Sequence, residues 1–131
     1  MLASGGDFET GAGALTGVSS SGEVFAPPHL FRGARPTIDG TPTEWPYDAS
    51  MPIRSADAAS IAAVHLVRLG SVTHSLNTDQ RVVPLAFEPT GGDTLVARVP
   101  DDTGVAPPGW YMLFLVSDEG VPSVARFVHV E

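Results

Sequence analysis

The chain contains no cysteine. That excludes disulfides, thiolate metal ligands and thiol nucleophiles together, and it fits either an oxidising or a reducing compartment. Cations are also scarce: Lys and Arg number 7 against 15 Asp and Glu, for a formal net charge of −8. The seven are scattered along the chain, so the clustered positive charge that phosphate binding needs is missing and nucleic acid is excluded as a partner. No apolar run approaches the roughly 18 residues of a membrane-spanning helix. The first residues, MLASGGDFETG, lack the basic and apolar segments of an export signal, which by itself points to the cytoplasm. Helical periodicity is absent throughout.

What the chain does have is enough apolar material for a core. Hydrophobic residues make up 43% of its 131 positions, which argues against global disorder. A single domain of this length buries about two thirds of its unfolded surface. The 14 glycines and 12 prolines interrupt both helices and strands, so short strands joined by tight turns are expected. The fold class predicted is all-β.

The opening 1–25 segment is rich in Gly, Ser and Ala and reads as a flexible tail by composition. The Pro27-Pro28 and Pro36 region, 26–35, reads as an extended linker, and 36–131 as the compact domain. Strands are expected at 37–39, 51–53, 61–69, 82–88, 94–99, 109–117 and 123–130. Gly91-Gly92-Asp93 and Asp118-Glu119-Gly120 supply hairpin turns. Val124, Arg126, Val128 and Val130 alternate with Ala125, Phe127 and His129 on opposite faces of the last strand. About seven short strands with turns every ten residues or so predict an immunoglobulin-like β-sandwich, with a small barrel as the alternative.

Most motifs of enzyme chemistry are missing. GAGALTG at 11–17 has Thr16 where a dinucleotide fingerprint needs its third glycine, and no βαβ pattern follows. Asp101-Asp102 and Asp118-Glu119 sit where turn chemistry places carboxylates. No nucleophile elbow occurs, and Ser71 and Ser75 do not pair naturally with the intervening His74. Of the four histidines, His65 and His129 fall inside strands and His29 in the proline linker. His74 stands apart, between a strand and the polar Asn77-Thr78-Asp79-Gln80 turn, close to the tip of a hairpin. Imidazole suits copper, zinc and iron, but one histidine without a spaced second ligand does not make a metal site.

Three blocks carry a resemblance: FAPPHLFRGARPTI (25–38), VHLVRLGSVTHSLNTDQRVVPLAF (64–87) and VAPPGWYMLFLVSDEGVPSVARFVHV (105–130). In order and spacing they resemble the C-terminal, early-set immunoglobulin-like domain of copper radical oxidases related to galactose oxidase and glyoxal oxidase. The resemblance implies that the domain packs on a kelch-type β-propeller, that a hairpin carries His74 to copper, and that the intact protein oxidises alcohols or aldehydes while reducing dioxygen to hydrogen peroxide. The family's crosslinked cysteine, its tyrosine ligands and its second histidine have no counterpart here. Tyr47 and Tyr111 do not match, and Tyr111 fits a core or corner role. The chain alone is therefore expected to be inert and to bind copper weakly. The 1–25 segment resembles the end of the last propeller blade, which makes the chain a piece of something larger and favours a secreted protein over a cytoplasmic one. The competing reading is a non-catalytic module capping a propeller, with His74 merely structural. Val72, Leu76, Val82 and Val83 are expected to leave an apolar hairpin surface, so that the isolated domain self-associates.

Overall fold

The computed structural model of the chain describes residues 2–4, 22–24, 26–74 and 76–131. Strands in chain order are β1 (Leu2–Ser4), β2 (Gly22–Val24), β3 (Glu44–Trp45), β4 (Ser50–Arg54), β5 (Ile61–Arg68), β6 (Val72–Thr73), β7 (Leu76–Asn77), β8 (Val82–Leu85), β9 (Phe87–Gly91), β10 (Thr94–Arg98), β11 (Gly109–Ser117) and β12 (Arg126–Val130). Short 3-10 turns at Pro28–Phe31 and Ala58–Ser60 are the only helical elements among the described residues. No helix there is long and apolar enough to cross a membrane.

Two sheets face each other, one in the order β4-β10-β9 and one in the order β3-β12-β11-β5-β8. The strands pair antiparallel except for β3, which lies parallel to β12 at the edge of the larger sheet. The result is the expected all-β sandwich and not a barrel. Alternation places the core between the sheets. Tyr111, Leu113 and Leu115 of β11, Leu66 of β5 and Val128 and Val130 of β12 are fully buried against Ile53, Leu95 and Ala97 of the smaller sheet, with Trp45 beside them. Truncating one of the large aliphatic side chains to alanine would cost about 2–5 kcal/mol through lost contacts and the cavity left behind. Pro52, Pro84 and Pro89 all lie on edge strands, where a missing N–H does not break an internal ladder.

Several expected boundaries shift for identifiable reasons. The run expected as one strand over 82–88 breaks at Ala86, because β8 pairs with β5 while β9 crosses to the other sheet and pairs with β10. The 37–39 segment is extended but makes no ladder. The Thr37 N–H is taken by the Asp57 carboxylate at 2.9 Å, and the link to β4 is one isolated bridge, with the Asp39 N–H donating to the Arg54 carbonyl and the Arg54 N–H to the Gly40 carbonyl, both at 2.8 Å. The last strand begins at Arg126 and not at 123: Ser123 donates its N–H to the Leu115 carbonyl at 2.8 Å and takes the Leu115 N–H on its buried hydroxyl at 3.0 Å, and the regular pairing with β11 starts only at Arg126 opposite Leu113. Val83, expected on an exposed surface, is buried; it alternates with exposed Val82 and faces the core opposite Leu66. The proline segment 26–35 contains the Pro28–Phe31 turn and is not uniformly extended.

At the amino end, β1 and β2 form a separate antiparallel pair, with Leu2 opposite Val24 and Ser4 opposite Gly22. The remaining residues of the segment expected to be a tail or blade remnant, including the GAGALTG stretch, lie outside the described residues.

Candidate functional site

β5 and β8 form a long hairpin whose strands pair up to Val67 and Val82, after which the chain continues as a narrow arm. Within the arm β6 and β7 pair Val72 with Asn77 and Thr73 with Leu76. His74 is the first residue of the two-residue connection at the tip, where left-handed backbone matches the twist of the strands. Its φ is 50°, and Asp48 is the other non-glycine residue with positive φ among the described ones. His74 is thus close to the tip, as expected, and the polar Asn77–Gln80 stretch lies further back. It builds the base of the arm, and the histidine itself sits at the turn.

The base is secured by side chains on both strands. The Asn77 Oδ1 accepts from the Ser71 N–H at 3.0 Å and the Asp79 N–H at 3.3 Å. The Thr78 N–H and hydroxyl both donate to the Ser71 carbonyl, at 3.0 and 3.2 Å. A Cβ at Gly70 would lie 2.7 Å from the Asn77 amide nitrogen, so a larger residue there would displace the side chain that braces the base.

Two arginines then fasten this base to the loop preceding β11. Arg68 donates from Nε to Asp79 at 3.1 Å and from Nη1 to the Pro107 and Pro108 carbonyls, both at 2.9 Å. Arg81 donates to the Gly104 and Val105 carbonyls at 2.8 and 3.0 Å. The Arg68 guanidinium lies 5.0 Å from the centre of the buried Tyr111 ring, a cation–π contact. Burial, the largest influence, would lower the Arg68 pKa, but the hydrogen bond to Asp79 and the contact with Tyr111 outweigh it and raise it. The cation therefore stays charged. Gly109 has a φ of 130°, and a Cβ there would meet Arg68 Nη1 at 2.9 Å. The Tyr111 hydroxyl donates back to the Pro107 carbonyl at 2.7 Å, the corner role expected of it. The Tyr47 hydroxyl holds the Ala106 carbonyl at 2.7 Å. Burial, and secondarily Tyr111, raise the Tyr47 pKa, with Arg68 acting in the opposite direction.

His74 is thus an exposed imidazole on a braced support. Its Nδ1 lies 2.7 Å from the Thr73 hydroxyl, which leaves Nε2 without an intramolecular partner in that contact. An imidazole held through one nitrogen presents the other in a defined direction, the arrangement common to histidines that ligate metals. Val72 and Leu76 flank it on the arm, both well exposed. No group of three ligand side chains among the described residues includes His74. Ser75 lies outside the described residues. Elsewhere, Asp102 accepts from the Gly104 N–H, the turn role expected of it. His65 and His29 are partly buried and line a shallow groove with Leu30, Val67 and Phe114.

The sequence marked His74 and its neighbours but not the purpose of Arg68, Asn77, Asp79 and Arg81. Their partners are main-chain groups, many of them in a distant loop, and no spacing rule reveals such contacts. The larger sheet also has an unusually apolar outer face, with Trp110, Phe127 and Val82 exposed.

A two-sheet, predominantly antiparallel sandwich of this size, with a strand crossing between sheets and a tyrosine corner, is an immunoglobulin-like domain. Residues 35–130 match the family described as "Galactose oxidase-like, Early set domain", and the chain belongs to that family. The chain is 36% identical over 139 aligned residues to a galactose oxidase of Gibberella zeae, an alignment covering 99% of the chain and 20% of the relative. It is 34% identical to Aldehyde oxidase GLOX of Vitis pseudoreticulata, over 82% of the chain and 23% of the relative. Among solved structures it resembles a fungal alcohol oxidase of the AA5 family in complex with copper, at 37% identity and a TM-score of 0.75, covering 83% of this chain and 24% of that one. The chain thus spans about a fifth to a quarter of the length of these relatives.

Proposed function

We propose that this chain is the C-terminal domain of a copper-dependent alcohol or aldehyde oxidase that reduces dioxygen to hydrogen peroxide, and that its part in the site is to present His74 as one copper ligand. The observation that carries this reading is the placement of His74. A histidine held at positive φ costs on the order of 1 kcal/mol, which glycine would avoid and asparagine would lessen. Here that cost is accepted at the tip of a braced arm, and the exposed imidazole is held through Nδ1 by the Thr73 hydroxyl. Strain of this kind, with an exposed and oriented ligand atom, is more readily explained by chemistry than by packing.

The donor chemistry fits copper as a partial set. One imidazole matches the metal's preference, and the remaining ligands would come from another part of the intact protein. Copper, when bound, would supply the redox and oxygen chemistry. The chain's own residues hold an imidazole at the arm's tip and flank it with the apolar side chains of Val72 and Leu76. Alone, the domain offers one exposed ligand and would bind copper weakly and catalyse nothing.

We also infer that the missing part is a kelch-type propeller lying upstream of a domain beginning near residue 36, with β1 and β2 belonging to its last blade. The short share of the relatives' length that the chain covers supports a large additional unit, and the apolar arm and outer sheet face give it a surface to meet. The intact protein is placed outside the cytoplasm, in keeping with the resemblance. The test is to replace His74 with alanine in the longer protein and assay peroxide formation from primary alcohols and aldehydes. Turnover should vanish while the unfolding temperature stays unchanged. Peroxide production at the parental rate would leave the domain a non-catalytic cap.

A further inference from the structure

The outer face of the larger sheet gathers three side chains of metal-ligating type, separate from His74. Glu44, His129 and Glu131 each turn one ligand atom toward the others, all within 4.8 Å. The Glu44 and Glu131 carboxylates approach the same atom, His129 Nδ1, at 3.0 and 3.5 Å. We propose that this trio binds a divalent cation of the zinc type, pinning the β3 edge of the sheet to β12.

The backbone places these groups without help from a loop. Glu44 and His129 are register partners across the parallel β3–β12 pair, and Glu131 follows His129 by two residues, returning to the same face. The edge is fixed by the Glu131 N–H to the Trp45 carbonyl at 3.3 Å and the His129 N–H to the Thr43 carbonyl at 2.7 Å. Trp110, opposite His129 on β11, packs its ring 5.1 Å from the imidazole and limits its rotation.

Proton bookkeeping then favours an ion. A single imidazole nitrogen carries at most one hydrogen, yet two carboxylate oxygens converge on it. One proton serves both poorly, whereas a divalent cation seated among the three would engage the nitrogen and both oxygens at once. The spacing also suits such an ion. Zinc bonds of about 2.0–2.2 Å in tetrahedral geometry set neighbouring ligand atoms about 3.3 Å apart, and the two observed contacts bracket that value. One nitrogen and two oxygens from protein would leave the fourth position for water, the three-ligand plan of open zinc sites. The bland alternative is an imidazolium shared between two surface carboxylates, which would bind no metal.

The proposal concerns residues of this chain alone and is independent of the role given to His74. Zinc(II) is titrated calorimetrically into the 131-residue chain at neutral pH, and its unfolding temperature is measured with zinc and with EDTA. One saturable site is expected, with a higher unfolding temperature in zinc than in EDTA. His129→Ala and Glu44→Gln should each weaken binding by about a hundredfold or more, beyond the roughly 10–100-fold that outer partners of a metal contribute. His74→Ala should leave it intact. Unfolding in EDTA checks that each variant is folded, and Glu44→Gln, an isosteric change on the surface, keeps the test valid if His129→Ala is not. No saturable binding would overturn the proposal. So would binding that survives Glu44→Gln in a folded protein, or binding that disappears with His74→Ala, which marks an adventitious ion only.

Discussion

At the scale of single residues, the informative contact is the one between Thr73 and His74. An imidazole that ligates through Nε2 must carry its proton on Nδ1, and the Thr73 hydroxyl at 2.7 Å is placed to accept it. The hydroxyl accommodates that tautomer and restrains the ring. Thr73→Val keeps the shape and the β-branching that suit a strand while removing the acceptor. In the longer protein, copper retention against a chelator should fall by about 10–100-fold, with the unfolding temperature nearly constant, and Thr73→Ser should restore most of it. Equal retention in the valine and parental proteins would show that the hydroxyl orients nothing.

At the scale of elements, the arm is fastened at its base by two arginines. Arg68 and Arg81 between them satisfy four carbonyls of the 104–108 loop, and Arg68 also holds Asp79 from the arm itself. Arg68→Met would leave two carbonyls and a carboxylate without their donor, at a cost of about 2–4 kcal/mol. Arg68→Lys should recover little, because a single ammonium cannot reproduce a planar fork reaching three acceptors. Denaturant unfolding measures the stability loss, and hydrogen exchange of the 70–79 amides should accelerate in both variants. Unchanged exchange there would mean that the arm is rigid without the clamp. Little of this was legible beforehand. The hairpin, its histidine and the alternating core of β11 follow from local pattern, since period-two burial and turn residues are encoded within a few positions. Local pattern puts His74 close to the tip, where it stands, but shows the polar Asn77–Gln80 stretch only as a turn, because polar turn residues and polar bracing residues look alike in one dimension. The Ala86 crossing and the β3–β12 pairing, which brings Glu44 to His129, depend on long-range contacts that no window of sequence contains.

At the scale of the whole molecule, the domain is stable on its inside and unfinished on its outside. Val72 and Leu76 on the arm are 76% and 65% exposed, and Val82 at its base 58%. Trp110 and Phe127 continue the apolar surface across the larger sheet. Such a surface on a lone soluble domain favours association. Sedimentation of the isolated chain should show concentration-dependent dimers or larger species, and a double Val72→Ser, Leu76→Ser variant should shift the equilibrium toward monomer. A strict monomer at high concentration would count against the arm's being shaped for burial in a partner.

The most direct measurement is pulsed electron paramagnetic resonance on the copper-loaded longer protein, which counts imidazole nitrogens around the metal. The protein with His74→Ala should show one coordinated histidine fewer than the parent while remaining folded. The same number of histidine nitrogens in both would mean that the arm does not reach copper, and that His74 serves only the hairpin.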